Sequence, residues 1–145
     1  MNPTQQKPSL VFEMLDQVQR QPDHRSRVAL LRFYRCFELN TVLQINYRPD
    51  VWLDLPPGVP KFQHDNGDPD MSIARTRNVI REFTYLSPIN RTMTRDQKLK
   101  KFVGILESVN EKEAEVFILV KDRKLQLKWP AISLQVVREA IPGIV

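Results

Sequence analysis

The sequence predicts an all-α fold, an irregular bundle of about six short helices with a long proline-rich loop. Three observations predict it. Apolar residues recur at three- and four-residue spacings through most of the chain. Capping residues stand at the head of those stripes. Four of the eleven prolines (Pro56, Pro57, Pro60, Pro69) and two of the four glycines (Gly58, Gly67) crowd into the stretch from Trp52 to Asp70. Strand signals are thin: only the run Val116 to Val120 offers one, and the cap at Asn110 with its acidic first turn favours helix there.

The elements follow in order. Ser9 is expected to cap a first helix to about Gln19, with Leu10, Met14, Leu15 and Val18 on one side. Asp23 caps a second, expected to run to about Leu39 with Ala29, Leu30, Phe33 and Phe37 as one stripe that Val28 and Leu31 widen. Asn40 breaks and restarts it for one short turn, and Arg48-Pro49 closes that turn because a residue before proline leaves the α region. After the loop, Asp70 or Ser72 opens a helix to about Leu86. Thr94 and Gln97 form a capping box ahead of the stripe Leu99, Phe102, Val103, Leu106 and Val109. Asn110 and Glu113 repeat that logic for a helix carrying Ala114, Phe117, Ile118 and Lys121. Ser133 caps the last helix, where Leu134, Val137 and Ile141 face inward and Pro142-Gly143 stops the chain.

At 145 residues the chain fits a single helical domain, with a short polar N-terminal tail (1–8) and an extended loop over about 49–71. No apolar run approaches the roughly 18 residues of a membrane span, and the N-terminus lacks the apolar core of a secretory signal. The lone Cys36 fits a reducing compartment and reads as a small buried hydrophobe.

Compact domains rarely carry a structureless connection of about 15 residues unless it is functional or disordered. This loop holds apolar side chains that are costly to leave wet, so Trp52, Leu55, Pro56, Pro57, Pro60 and Phe62 are its candidate partner-binding residues. Prolines restrict the unbound chain and so reduce the entropy lost on docking.

The net charge of +5 is uneven: residues 1–72 hold 8 Lys/Arg against 9 Asp/Glu, and residues 73–145 hold 14 against 8. Arg75, Arg77, Arg81, Arg91, Arg95, Lys98 and Lys101, with a second cluster at Lys121, Arg123, Lys124 and Lys128, are the candidates for a basic face. Such a face serves either solubility or an acidic partner, nucleic acid among them. Trp129 beside the second cluster reads as a core plug rather than a base-stacking platform.

Catalytic templates fail. Asp65, Asp68 and Asp70 have the wrong spacing for a calcium loop, which places Thr76 where the bidentate acid belongs. His24 and His64 have no ligand partners at zinc spacing, and no Walker, G-x-S-x-G or H-E-x-x-H pattern occurs. The expectation is no catalytic residue, no metal and no cofactor.

Two segments carry a resemblance. VLQINYRPDVWLDLPPGVPKF (Val42 to Phe62) holds Leu55, Pro56, Gly58 and Pro60, and VFILVKDRKLQLKWPAISLQVVREAIP (Val116 to Pro142) holds Val120, Lys121, Asp122, Arg123, Lys124 and Leu125. Together they resemble a family of small uncharacterised proteins of large contractile-tailed bacteriophages, including cyanophages. The resemblance implies a phage product made in the bacterial host cytoplasm, and implies no catalytic residue. The expected function is a non-enzymatic phage accessory protein that binds a macromolecular partner of the replication, transcription or host-takeover machinery. The alternatives are a virion structural or assembly protein and a direct nucleic-acid-binding protein. A phage or host protein is the expected partner, with nucleic acid the alternative, no membrane and no small-molecule substrate.

Overall fold

The computed structural model describes residues 8–63 and 78–145. Among them are six α-helices: α1 (Val11–Gln19), α2 (His24–Tyr34), α3 (Phe37–Tyr47), α4 (Arg95–Ser108), α5 (Glu111–Lys121) and α6 (Leu134–Ala140). Two 3-10 segments, Glu82–Leu86 and Leu125–Leu127, complete them, and residues 78–81 form an α-helical turn leading into the first. No strand occurs among the described residues. The all-α class therefore stands, and no helix is long and apolar enough to cross a membrane among the described residues.

α5 is the centre of the bundle. Ala114, Val116, Phe117, Ile118 and Val120 are all buried, so it is apolar on nearly every side, as a helix enclosed by its neighbours must be. α1, α3 and α4 pack around it, and α2 bridges from α1 to α6. Phe83 meets Phe117 edge to face, with ring centroids 5.1 Å apart, and this joins the first 3-10 segment to the same core. Trp129 is the expected plug: it is buried, and its indole N–H donates to Asp16 Oδ1 at 2.8 Å.

Four caps are the ones the sequence indicates. Asp23 accepts from the Ser26 N–H at 2.8 Å, Asn110 from Lys112 at 2.8 Å, and Ser133 from Val136 at 3.2 Å. Thr94 and Gln97 satisfy each other at 3.1 and 2.8 Å, closing the capping box. The Ser26 backbone N–H holds the Asp23 carboxyl below its ordinary 3.8, with nearby arginines adding to the effect. A depressed folded pKa gives stability that is present above the unfolded value and lost as pH falls through the folded one. Asp23→Ala should therefore lower the urea midpoint at neutral pH, and the gap to the parent should close below the usual carboxylate range.

Other expectations are overturned. Ser9 is not the first cap: Leu10 occupies that position without a side-chain bond. The orphan donors of α1 instead go to the Glu113 carboxylate, with Val11 N–H on Oε2 at 3.2 Å and Phe12 N–H on Oε1 at 2.6 Å. Glu113 thus caps a helix 101 residues away rather than its own. α2 ends at Tyr34, and the extended backbone of Arg35 and Cys36 makes Cys36 the N-cap of an eleven-residue α3. The break lies there and not at Asn40. Within α2 the buried residues are Val28, Leu30, Leu31 and Tyr34, so the inward face runs through Tyr34 and leaves Ala29 and Phe33 exposed, while Phe37, beyond the break, is exposed at the start of α3. Cys36 is half-buried at this junction rather than inside a helix. On α4 the buried line is Lys98, Phe102, Ile105 and Leu106, so Leu99 and Val103 lie at its edge. The helix start at Asp70 or Ser72 lies outside the described residues.

Candidate partner-binding groove

From Arg48 to Gln63 the backbone is non-helical, with Pro49, Pro56, Pro57 and Pro60 denying it amide donors. Remote side chains hold it in place. Asp54 N–H donates to Leu86 O at 2.8 Å, and the Asp54 carboxylate receives Lys98 Nζ at 3.0 Å and Arg95 Nε at 3.2 Å. Lys98 also donates to Ser87 O at 3.0 Å and is almost fully buried. Lys121 Nζ donates to Pro56 O at 2.8 Å and to Asp122 Oδ1 at 2.5 Å. The second oxygen of Asp122 accepts from Gly58 N–H at 3.0 Å, where Gly58 adopts φ +94°, a turn that suits glycine. Arg123 donates to Val51 O at 2.9 Å and Arg48 O at 2.5 Å. Gln63 N–H reaches Glu107 at 3.0 Å.

The two segments singled out in the sequence are therefore one lock. The Leu55-Pro56-Pro57-Gly58 turn and the Lys121-Asp122-Arg123 connector bond directly to each other. The connector's shape comes from a Schellman ending of α5: Lys124 N–H bonds Leu119 O at 2.8 Å and Arg123 N–H bonds Val120 O at 3.0 Å. That motif needs a left-handed residue, and Arg123 supplies it at φ 59° where glycine is usual. The strain is of order 1 kcal/mol, and the two guanidinium bonds offset it.

Fixed this way, the segment forms one wall of an apolar groove of about 790 Å³. The opposite walls are α3, through Phe37, Thr41, Gln44 and Ile45, and the stretch from Ile80 to Asn90. Phe37, Trp52 and Tyr85 are each about half exposed, and Ile89 is 88% exposed. Isolated exposed apolar residues are ordinary, but several converging on one concavity mark a contact surface. At its edge Arg48 holds the Asp50 carboxyl below its usual range through a bidentate pair at 2.8 and 2.9 Å. Behind the segment lies a smaller open cleft of about 430 Å³, lined by Pro57, Lys121, Asp122, Arg123 and Lys124, of which Lys121, Asp122 and Arg123 are already engaged in the lock.

The expected loop residues divide. Trp52 and Pro57 are exposed, and Pro56, Pro60 and Phe62 are half-buried, with Phe62 packed on the core. Leu55 is a correction: it is buried and anchors the segment rather than meeting a partner. The expected basic face divides too. Arg81, Arg91 and Lys124 are exposed. Arg95 and Lys101 reach solvent while paired to Asp54 and, at 3.6 Å, to Glu82. Lys98 and Lys121 are buried and Arg123 is turned onto backbone carbonyls, so these three work as tethers and not as surface charge. Lys128 pairs with Glu115 at 2.6 Å. Arg75, Arg77, His64 and the acids Asp65, Asp68 and Asp70 lie outside the described residues.

Sequence reasoning missed Phe37, Tyr85 and Ile89. Phe37 was hidden by the misplaced helix break. Ile89 carried a readable signal, a large apolar residue alone in the polar turn Ser87-Pro88-Ile89-Asn90. Among the described residues no group of three acids, histidines or cysteines is placed to hold a metal, and His24 pairs instead with Glu139 across α2 and α6. What the groove offers is a rigid apolar contact.

A family model described as a family of unknown function, DUF6433, matches residues 14–127, from within α1 to the end of the second 3-10 segment. The match includes the groove and its lock. No curated protein and no solved structure matches the chain.

Proposed function

The chain belongs to the DUF6433 family, and we propose that it is a non-enzymatic phage accessory protein that binds a macromolecular partner in the infected cell. One observation carries the reading: a concavity lined by exposed Phe37, Trp52, Tyr85 and Ile89 whose prolyl wall is pinned by buried lysines. Tryptophan and tyrosine dominate binding energy at protein interfaces, because they bury large area with few rotatable bonds. Pinning the wall beforehand removes part of the ordering cost of association. A protein partner is favoured over nucleic acid, since Lys98, Lys121 and Arg123 spend their charge inside the fold.

The test is affinity capture from infected cells with the parent chain and with a Trp52→Ala, Ile89→Asp double variant. Both positions are exposed, so the fold should survive, and circular dichroism checks that it does. The double variant should lose at least about tenfold of the captured partner, equivalent to about 1.4 kcal/mol. Equal recovery would remove the groove from the function.

A further inference from the structure

The outer side of α2 forms a second surface that the partner-binding reading does not use. Residues 20–35 hold five arginines (Arg20, Arg25, Arg27, Arg32 and Arg35), no lysine and one acid, Asp23. The helix buries Val28, Leu30, Leu31 and Tyr34 and packs against α1 and α6. Its outward stripe is Arg25, Ala29, Arg32 and Phe33, at the i, i+4, i+7 and i+8 spacing of one helical face, and all four are exposed. Arg35 is exposed at the C-cap of the helix and Arg20 in the turn before its start.

Three neighbouring acids are committed elsewhere. Asp23 accepts from the Ser26 N–H as the cap, Glu139 on α6 pairs with His24, and Asp16 on α1 accepts from Trp129. Asp23 also attracts Arg25 and Arg27, one carboxylate against several guanidinium groups. Glu38 follows Arg35 in the first turn of α3, so the cationic surplus is greatest toward Arg20, Arg25 and Arg32. Arg32 donates through Nε to Ala140 O at 3.1 Å and through Nη2 to Glu139 O at 2.8 Å. Those carbonyls hold the guanidinium against the surface without cancelling its charge. Phe33, 45% exposed beside it, lies against Tyr34 with ring centroids 5.8 Å apart.

Guanidinium forks match phosphate oxygens in pairs. An exposed aromatic ring among such cations is a platform on which an unpaired base stacks. A duplex keeps its base faces covered, whereas a single strand offers phosphates and bases together. An acidic protein segment would answer the charge and leave the ring without a role. We propose that the outer face of α2 binds single-stranded nucleic acid, with backbone phosphates on Arg20, Arg25 and Arg32 and a base stacked on Phe33.

Fluorescence anisotropy of the full chain tests this with labelled single strands of DNA and RNA of one mixed sequence. The matching DNA duplex and polyglutamate serve as comparisons. At least one single strand should bind more tightly than either comparison, with affinity falling steeply as salt rises. The double change Arg20→Glu, Arg25→Glu should weaken that binding at least about tenfold. Arg91→Glu with Lys100→Glu alters net charge equally at exposed positions on other elements, and should leave affinity within about twofold. Phe33→Ala should weaken the single strand about fivefold or more and spare the duplex. Circular dichroism checks that each variant is folded. No binding at low salt, equal loss from the two charge-matched double variants, or a Phe33→Ala variant that binds the single strand as the parent does overturns the assignment. Polyglutamate bound as tightly as the single strands would make the face an acidic-protein site and overturn it too. Trp52→Ala with Ile89→Asp should leave oligonucleotide binding unchanged, so this surface and the groove stand or fall separately.

Discussion

Glu113→Ala should lower the unfolding free energy by about 3 kcal/mol. The carboxylate is fully buried and accepts the first two backbone N–H groups of α1, at 3.2 and 2.6 Å. Truncation leaves both donors without this acceptor, the Val11 N–H buried and the Phe12 N–H part-buried. It also removes a negative charge from the positive end of a helix dipole. Val11, at that helix start, is itself fully buried, so solvent cannot easily replace the lost acceptor. Glu113→Gln keeps one accepting oxygen and should cost roughly half as much. Urea unfolding followed by far-ultraviolet circular dichroism measures both. A loss under about 1 kcal/mol for the alanine variant would mean that α1 finds another cap.

Lys121→Met should cost a comparable amount, about 3 kcal/mol, with a functional signature that Glu113→Ala lacks. The methionine fills the buried stem's space but frees the Pro56 carbonyl and removes the cation facing Asp122. Asp122 then keeps its bond from Gly58 without a counter-charge. The wall behind Trp52 loosens, so partner capture should fall even at temperatures where the helical signal is intact. Amide exchange across residues 51–58 should accelerate more than exchange in α5. Uniform acceleration through both would show that the lysine supports the whole fold rather than the wall.

How legible this was from the sequence depended on distance along the chain. Asp23, Thr94, Asn110 and Ser133 were readable because each bonds an amide two or three residues away. Glu113 was not, because its acceptor role is across the bundle and its local spacing from Asn110 suggested an ordinary capping box. The α2–α3 break carries no proline or glycine, so the apolar pattern read straight through it. The lysines told a similar story. Charge alone pointed to the surface, while Lys98 and Lys121 find their acceptors on a segment 44 and 65 residues away. The prolyl stretch was recognisable as special, but its six candidates stood alike in the sequence, and which of them turn inward depends on those remote tethers.

Arg123 does two jobs with one set of atoms. Its main chain takes the left-handed corner that ends α5, and its guanidinium grips the carbonyls of Val51 and Arg48. Glycine at this site would ease the corner and let go of the ribbon, while lysine would retain a charge but lose the planar two-pronged grip. Terminating a helix and steadying a binding surface are thus inherited together, and drift at position 123 cannot improve one without degrading the other.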